Sequence, residues 1–233
     1  MLRPARLQPF FITVVDQALS TSTVPTLIET MRMLNGTVPL WAHHRARLER
    51  SCRALGIPFP AKLQVPTSAS DLACRFELGA DGVKVATREP GSAAPIRLIT
   101  ALVPHEPYPH KVRSRACFER AGAEARAAGV DDAILLTRDG WVAEGTVWTL
   151  CWWELNLLCA PPLELGVLPG VGRARLRELR RYIVEKRVNR RALGGVPVFL
   201  VNAVRGVVEV ASWDGRPVPN HPETARLAEA FWP

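Results

Sequence analysis

Residues Val130 to Arg175 read VDDAILLTRDGWVAEGTVWTLCWWELNLLCAPPLELGVLPGVGRAR, and this stretch decides the fold. Asp132 to Thr137 is a short apolar run that predicts a strand. Asp139-Gly140 is a hairpin signal, because both positions of a tight turn favour positive φ. Trp141 to Gly145 is the return strand, and its only carboxylate is Glu144. Val147 to Glu154 and Leu157 to Ala160 read as a second hairpin around Leu155-Asn156. The glycine-rich loop Gly166 to Arg173 then opens an amphipathic helix expected over Arg173 to Lys186, with Leu176, Leu179 and Ile183 on one face. Such a loop presents unpaired N–H groups and the positive end of a helix dipole to an anion.

The stretch resembles the signature of the fold type IV pyridoxal-phosphate enzymes, which include branched-chain and D-amino acid aminotransferases and aminodeoxychorismate lyase. The pieces that carry the resemblance are Glu144-Gly145, Pro161-Pro162-Leu163 and Gly166-Val167-Leu168-Pro169-Gly170-Val171-Gly172-Arg173, in the family's order. Gly172 stands where the family usually has threonine, which removes a hydroxyl contact to phosphate. The resemblance implies an α/β (α+β) architecture of two domains with the cofactor cleft between them. It also implies pyridoxal 5'-phosphate as cofactor and a homodimer.

Working outward, Lys111 lies one helix-length before the Asp131-Asp132-Ala133 strand, which is the family's place for the Schiff-base lysine. The helix between them is expected to run to Ala128 and to stop at Gly129. Lysine occurs only at 62, 84, 111 and 186, so a lysine at this spacing is informative. Pro104, Pro107 and Pro109 mark a linker over 105–110. It separates a small N-terminal α/β domain, 1–104, from a β-rich C-terminal domain, 111–233. In the first part, Thr26 to Met33 reads as a strand turning at Asn35-Gly36 onto Thr37 to Leu40. Trp41 to Leu55 has helical periodicity closed by Gly56 and Pro58. His44-Arg45-Ala46-Arg47-Leu48 within it matches the family's His-x-x-Arg-Leu, which implies that Arg47 binds the cofactor phosphate; taken alone, Arg47 is one more arginine of a basic helix. A helix capped by Ser68 or Ser70 is expected to run to Leu78, followed by a turn at Asp81-Gly82. Strands are expected at Val83 to Thr87 and Ile96 to Val103. The family's glycine-rich N-terminal segment survives only as Leu27 to Arg32; Ser20 to Pro25 replaces its glycines and its aromatic.

Towards the C-terminus, Val196 to Val201 reads as a strand. Asn202-Ala203-Val204-Arg205-Gly206-Val207 resembles the corresponding segment of lyase-like members. Trp213 to Pro217 is a turn, and Glu223 to Phe231 a closing helix.

The rest of the composition excludes other classes. No apolar run reaches the roughly 20 residues that a membrane helix needs. The basic and then apolar start of the chain ends at Asp16 without a cleavage pattern, so no signal peptide is expected. Five cysteines without metal-type clustering predict reduced thiols and a cytoplasmic setting. The net charge of +8 comes mostly from arginine and lacks aromatic interleaving, which argues against nucleic acid and for a basic cleft that takes anionic ligands. The five histidines show no metal-ligand spacing, and no metal is expected.

Pyridoxal phosphate asks the protein for placement and electrostatics. The resemblance assigns Lys111 and Glu144 as the catalytic pair, with Glu144 at the pyridine nitrogen. It assigns Arg47, Gly170, Val171, Gly172, Asn202 and Ala203 to the phosphate, and Leu168 to the ring face. Asn202 has a second reading, as a residue that only fixes its loop. Arg205 either meets a substrate carboxylate or forms a structural salt bridge. The expected activity is aminodeoxychorismate lyase, which leaves 4-aminobenzoate and pyruvate on the folate route. The alternatives are an amino acid transaminase of branched-chain or D-amino acid type, acting on a small amino substrate, and a non-enzymatic binding protein on the same fold.

Overall fold

In the computed structural model, residues 24–63, 68–80 and 82–233 are described. The N-terminal run to Asp16 and residues 20–23 of the altered segment lie outside them, as does Asp81 of the expected turn.

Two sheets build the protein. The smaller has the order β1-β2-β3 and is antiparallel, with β1 at Leu27–Met33, β2 at Leu72–Gly79 and β3 at Gly82–Arg88. Helix α1, Trp41–Leu55, covers this sheet and ends at Gly56 in a left-handed cap, as the periodicity predicts. The helix expected to reach Leu78 is instead strand β2. Leu72, Cys74, Phe76 and Leu78 are buried while Arg75 and Glu77 are not, a period of two that outweighs the serine cap signal. Asn35 and Gly36 both have positive φ and make the expected turn. Its return strand shrinks to a single bridge, Leu34 to Thr37, because β1 takes β2 as its partner.

The larger sheet is mixed. Its members are β4 (Ile96–Thr100), β5 (Asp132–Leu136), β6 (Val142–Gly145), β7 (Thr149–Glu154), β8 (Leu157–Ala160), β9 (Val184–Glu185), β10 (Val198–Asn202), β11 (Gly206–Trp213) and β12 (Arg216–Pro217). The order is β6-β5-β4-β11-β10-β7-β8-β9, with β12 paired to β11. Strand β4 precedes the expected linker, yet it lies between β5 and β11, parallel to both. The chain therefore enters the large sheet before residue 105.

Helix α2 (Ala116–Ala127), helix α3 (Val171–Arg180) and helix α4 (Pro222–Ala230) complete the fold. The run Leu150-Cys151-Trp152-Trp153 is buried throughout because both faces of its strand are covered. Leu150 and Trp152 join Trp148, Leu200 and Trp213 on one face. Cys151 and Trp153 face Phe199, Leu176 of α3 and Phe231 beyond α4. Helix α2 packs Phe118 and Ala121 on Ala133 and Leu135 of β5.

Several element ends and one turn differ from expectation. Strand β7 starts at Thr149, and Val147 before it is exposed. Helix α3 stops at Arg180, since Arg181 has φ of 56° and Val184–Glu185 pairs with β8 instead of extending the helix to Lys186. In the β5–β6 hairpin only Gly140 has positive φ, and the turn is closed by Gly140 N–H donating to Thr137 O at 2.9 Å. No helix among the described residues is long and apolar enough to cross a membrane.

Gly166 docks the segment that leads to Lys111. Its carbonyl accepts from Tyr108 N–H at 2.7 Å, its φ is 78°, and a Cβ there would lie 2.8 Å from Pro107 Cα. Gly129 also has positive φ, but open space around it. We expect Gly129→Ala to cost about 1–2 kcal/mol for the left-handed backbone alone. Gly166→Ala should cost about 2–5 kcal/mol, because overpacking against Pro107 adds to the strain. Denaturant unfolding of the two variants checks the difference.

Candidate active site

The site forms where the two sheets meet. Ile28 N–H donates to Lys111 O at 2.7 Å, and Arg113 N–H donates to Thr26 O at 2.8 Å. The segment that carries Lys111 is thereby laced along β1, between the small sheet and α2. A cavity of about 160 Å³ opens there, and Arg47, Lys111, Glu144, Leu168, Gly170, Val171, Gly172, Asn202, Ala203 and Arg205 all line it. Residues separated by up to 158 positions in the chain thus share one wall.

Arg47 lies on the buried stripe of α1, with His44, Leu48, Ser51 and Cys52. Its Nε donates to Glu29 Oε1 at 2.8 Å and its Nη2 to Glu29 Oε2 at 2.5 Å. His44 Nδ1 is 2.6 Å from the same Oε2. Burial raises the Glu29 pKa, but Arg47 and His44 outweigh it and bring it down to about 2. Burial, foremost, lowers the His44 pKa; Nδ1–H donates because a carboxylate can only accept. Arg47 Nη1 makes no hydrogen bond among the described residues, and Arg47 lines the cavity.

Glu144 is 5% exposed. Its Oε1 accepts from Leu168 N–H and from His105 Nε2, both at 3.0 Å. Its Oε2 has no partner among the described residues. The donor role of His105 follows because a carboxylate can only accept. Leu168 thus contributes its backbone N–H to the site.

The Lys111 side-chain amine makes no hydrogen bond or ion pair to a described residue, although the residue is half-buried. Burial, then the positive charges of Arg47 and Arg115, lower its pKa to about 7. Half of the amine is then neutral at neutral pH, which is the form that bonds to a carbonyl carbon.

Helix α3 begins at Val171 without a side-chain cap, so its first N–H groups are free to meet an anion. A Cβ at Gly172 would lie 2.8 Å from Val201 Cγ2, which explains glycine at this place: β10 approaches the helix entrance too closely for threonine. Asn202 Oδ1 accepts from Val204 N–H and Arg205 N–H, at 2.9 and 2.8 Å, and so fixes its own loop. Arg205 makes no salt bridge among the described residues; its guanidinium lies 4.3 Å above the Trp148 ring instead.

Four contributors carry no motif that reveals them. Glu29 sits in a matching segment but is linked to Arg47 only through the packing of α1 on β1. His105 lies among prolines and reads as linker. Arg115 donates to Thr146 O and stacks on Phe118 and Tyr108. Arg88 ends β3 at the cavity.

Residues 83–213, more than half of the chain, match the model of the class IV amino-transferases. This protein belongs to the class IV aminotransferase family. It is accordingly a pyridoxal 5'-phosphate-dependent enzyme. Solved structures agree in fold. A Legionella pneumophila protein provisionally named 4-amino-4-deoxychorismate lyase is 23% identical with a TM-score of 0.76, covering 92% of this chain and 95% of that one. The branched-chain aminotransferase of Thermoproteus uzoniensis is 24% identical with a TM-score of 0.79, covering 90% and 84%. A hypothetical aminotransferase from Mycobacterium tuberculosis in its pyridoxal-phosphate-bound form is 22% identical with a TM-score of 0.79, covering 97% and 93%. No curated protein sequence matches the chain significantly.

The donor set of this class IV enzyme fits its cofactor: a bare guanidinium nitrogen, an uncapped helix entrance, an unpaired amine and an unpaired carboxylate oxygen face one cavity.

The Lys111 pKa also predicts stability. Because it is lowered from 10.5 to about 7, the unfolded chain holds more protons between those values, and stability rises with pH across that window. In cofactor-free protein, Lys111→Met should therefore raise the melting temperature most below pH 7. The gain should shrink as pH approaches 10.5, as melting scans across pH would show.

Proposed function

We propose that the chain is an aminodeoxychorismate lyase, releasing pyruvate and 4-aminobenzoate. The observation that carries this reading is the Asn202–Val207 segment, lyase-like in sequence, whose Asn202 turn brings Arg205 to the cavity wall. Bound pyridoxal phosphate supplies the electron sink. Lys111 is the covalent anchor and the proton carrier, and its pKa near 7 lets it take a proton from the substrate carbon beside the amine and pass it on. Glu144, oriented by His105 and Leu168 N–H, holds the pyridine nitrogen in its protonated state. Arg47 Nη1 and the Gly170–Gly172 entrance bind the phosphate. Family likeness supports a homodimer.

Two experiments test the reading. Aminodeoxychorismate should yield pyruvate and 4-aminobenzoate, and borohydride reduction of the loaded protein should label Lys111. Keto acid exchange with a panel of D- and L-amino acids and no 4-aminobenzoate would make the enzyme a transaminase. Label on Lys62, Lys84 or Lys186 would overturn the anchor.

Glu144→Gln keeps the shape of the side chain but removes its charge. The variant should retain cofactor, with turnover lowered at least tenfold, or about 1.4 kcal/mol of barrier, and substrate affinity changed less. Parent-like turnover would remove Glu144 from the pyridine site.

A further inference from the structure

A hydroxyl group without a partner stands at the entrance of α3. Thr149 opens β7 and lines the cavity together with Gly170, Val171 and Gly172. The residue is half-buried, yet its Oγ1 makes no hydrogen bond among the described residues. A Cβ on Gly170 would lie 2.7 Å from this oxygen, while the Thr149 methyl carbon is more than 4 Å from the same point. The hydroxyl, and not the methyl group, is therefore turned towards the N-cap residue of α3.

Strand pairing fixes this placement. Thr149 is the cross-strand partner of Val201, and Val201 Cγ2 lies 2.8 Å from where a Cβ on Gly172 would be. Neighbouring strands thus press on both glycines of the entrance, Thr149 on Gly170 and Val201 on Gly172. The glycines let β7 and β10 come close, and they leave the first turn of α3 with no hydroxyl of its own. A hydroxyl beside a helix N-terminus commonly accepts from one of the first N–H groups. Here it does not, so those N–H groups and the hydroxyl proton stay available together. The other cavity hydroxyls are placed differently. Tyr108 Oη donates to Val112 O, Thr146 is bonded to Asp132, and Thr30 belongs to β1 of the small sheet.

We propose that the Thr149 hydroxyl donates to the phosphate group of the cofactor, as the hydroxyl donor that the first turn of α3 lacks. This rests on the reading that the entrance of α3 binds that phosphate. An anion seated on the entrance takes water away from the hydroxyl beside it, and an unpaired buried hydroxyl is costly. Donation to a charged oxygen removes that cost and adds a charge-assisted bond. Thr149 acts here as a binding residue and takes no part in proton transfer.

Pyridoxamine 5'-phosphate and pyridoxamine are the probes. They differ by the phosphate alone, and neither forms an imine with Lys111, so their dissociation constants report non-covalent contacts. Both are titrated by calorimetry into the full chain freed of cofactor. The parent should bind the phosphorylated compound more tightly. Thr149→Val keeps the branched shape that suits a strand and replaces the hydroxyl by a methyl group. It should weaken the phosphorylated compound about tenfold or more and leave pyridoxamine as in the parent. Thr149→Ser restores the hydroxyl and should bind both compounds as the parent does. A parent-like preference in Thr149→Val would overturn the contact and leave the phosphate site standing. Equal binding of the two compounds by the parent would overturn the phosphate reading and the contact with it. A lower melting temperature of cofactor-free Thr149→Val would show that the hydroxyl serves the fold, and would also overturn the contact.

Discussion

The buried ion pair between Glu29 and Arg47 is the constraint on which the site depends. Two charges taken out of water are tolerated only when their geometry is good and their remaining bonds are made. Here the carboxylate receives two guanidinium nitrogens and the His44 ring, so its pKa falls despite burial. The pair joins β1 to α1, and it takes up Nε and Nη2 of Arg47, leaving Nη1 without a partner among the described residues. The placement of the Arg47 guanidinium is therefore inseparable from the packing of the small sheet.

The same logic governs the other two central groups. Lys111 is surrounded by positive charge and low-dielectric wall, which favours the neutral amine. Glu144 is wired through one oxygen to His105 and Leu168, so only the other is left to meet a ligand. Arg47 and Glu144 are each partly absorbed by neighbours, whereas the Lys111 amine is left without a partner among the described residues. Preorganisation of this kind places charge before substrate arrives.

The large sheet supplies the rigidity. Trp148, Trp152 and Trp213 fill one face, while Trp153, Phe199 and Phe231 fill the other. Strand β10 runs through this core and delivers Asn202 and Ala203 beside the entrance of α3, and its closeness there excludes a side chain at residue 172. Departure from the family's threonine is thus a packing consequence of this chain's own strand placement.

Elements with strong local signals were legible in the chain alone. Helix α1 is bounded by Gly56, and the two hairpins around Gly140 and Leu155 follow from their turns and apolar runs. The ordered motifs at Arg47, Lys111, Glu144 and Gly166 to Arg173 named the groups that the fold brings to one cavity. Tertiary contacts decided the rest. Strand β2 overrode a serine cap, because pairing with β1 on one side and β3 on the other makes alternate burial worthwhile. Strand β4 joined the distant β11, a parallel pairing that no local pattern encodes. Glu29, His105 and Arg115 acquired their significance only there, since a side chain's charge is written in the sequence but its partner, its burial and its loss of water are properties of the folded chain.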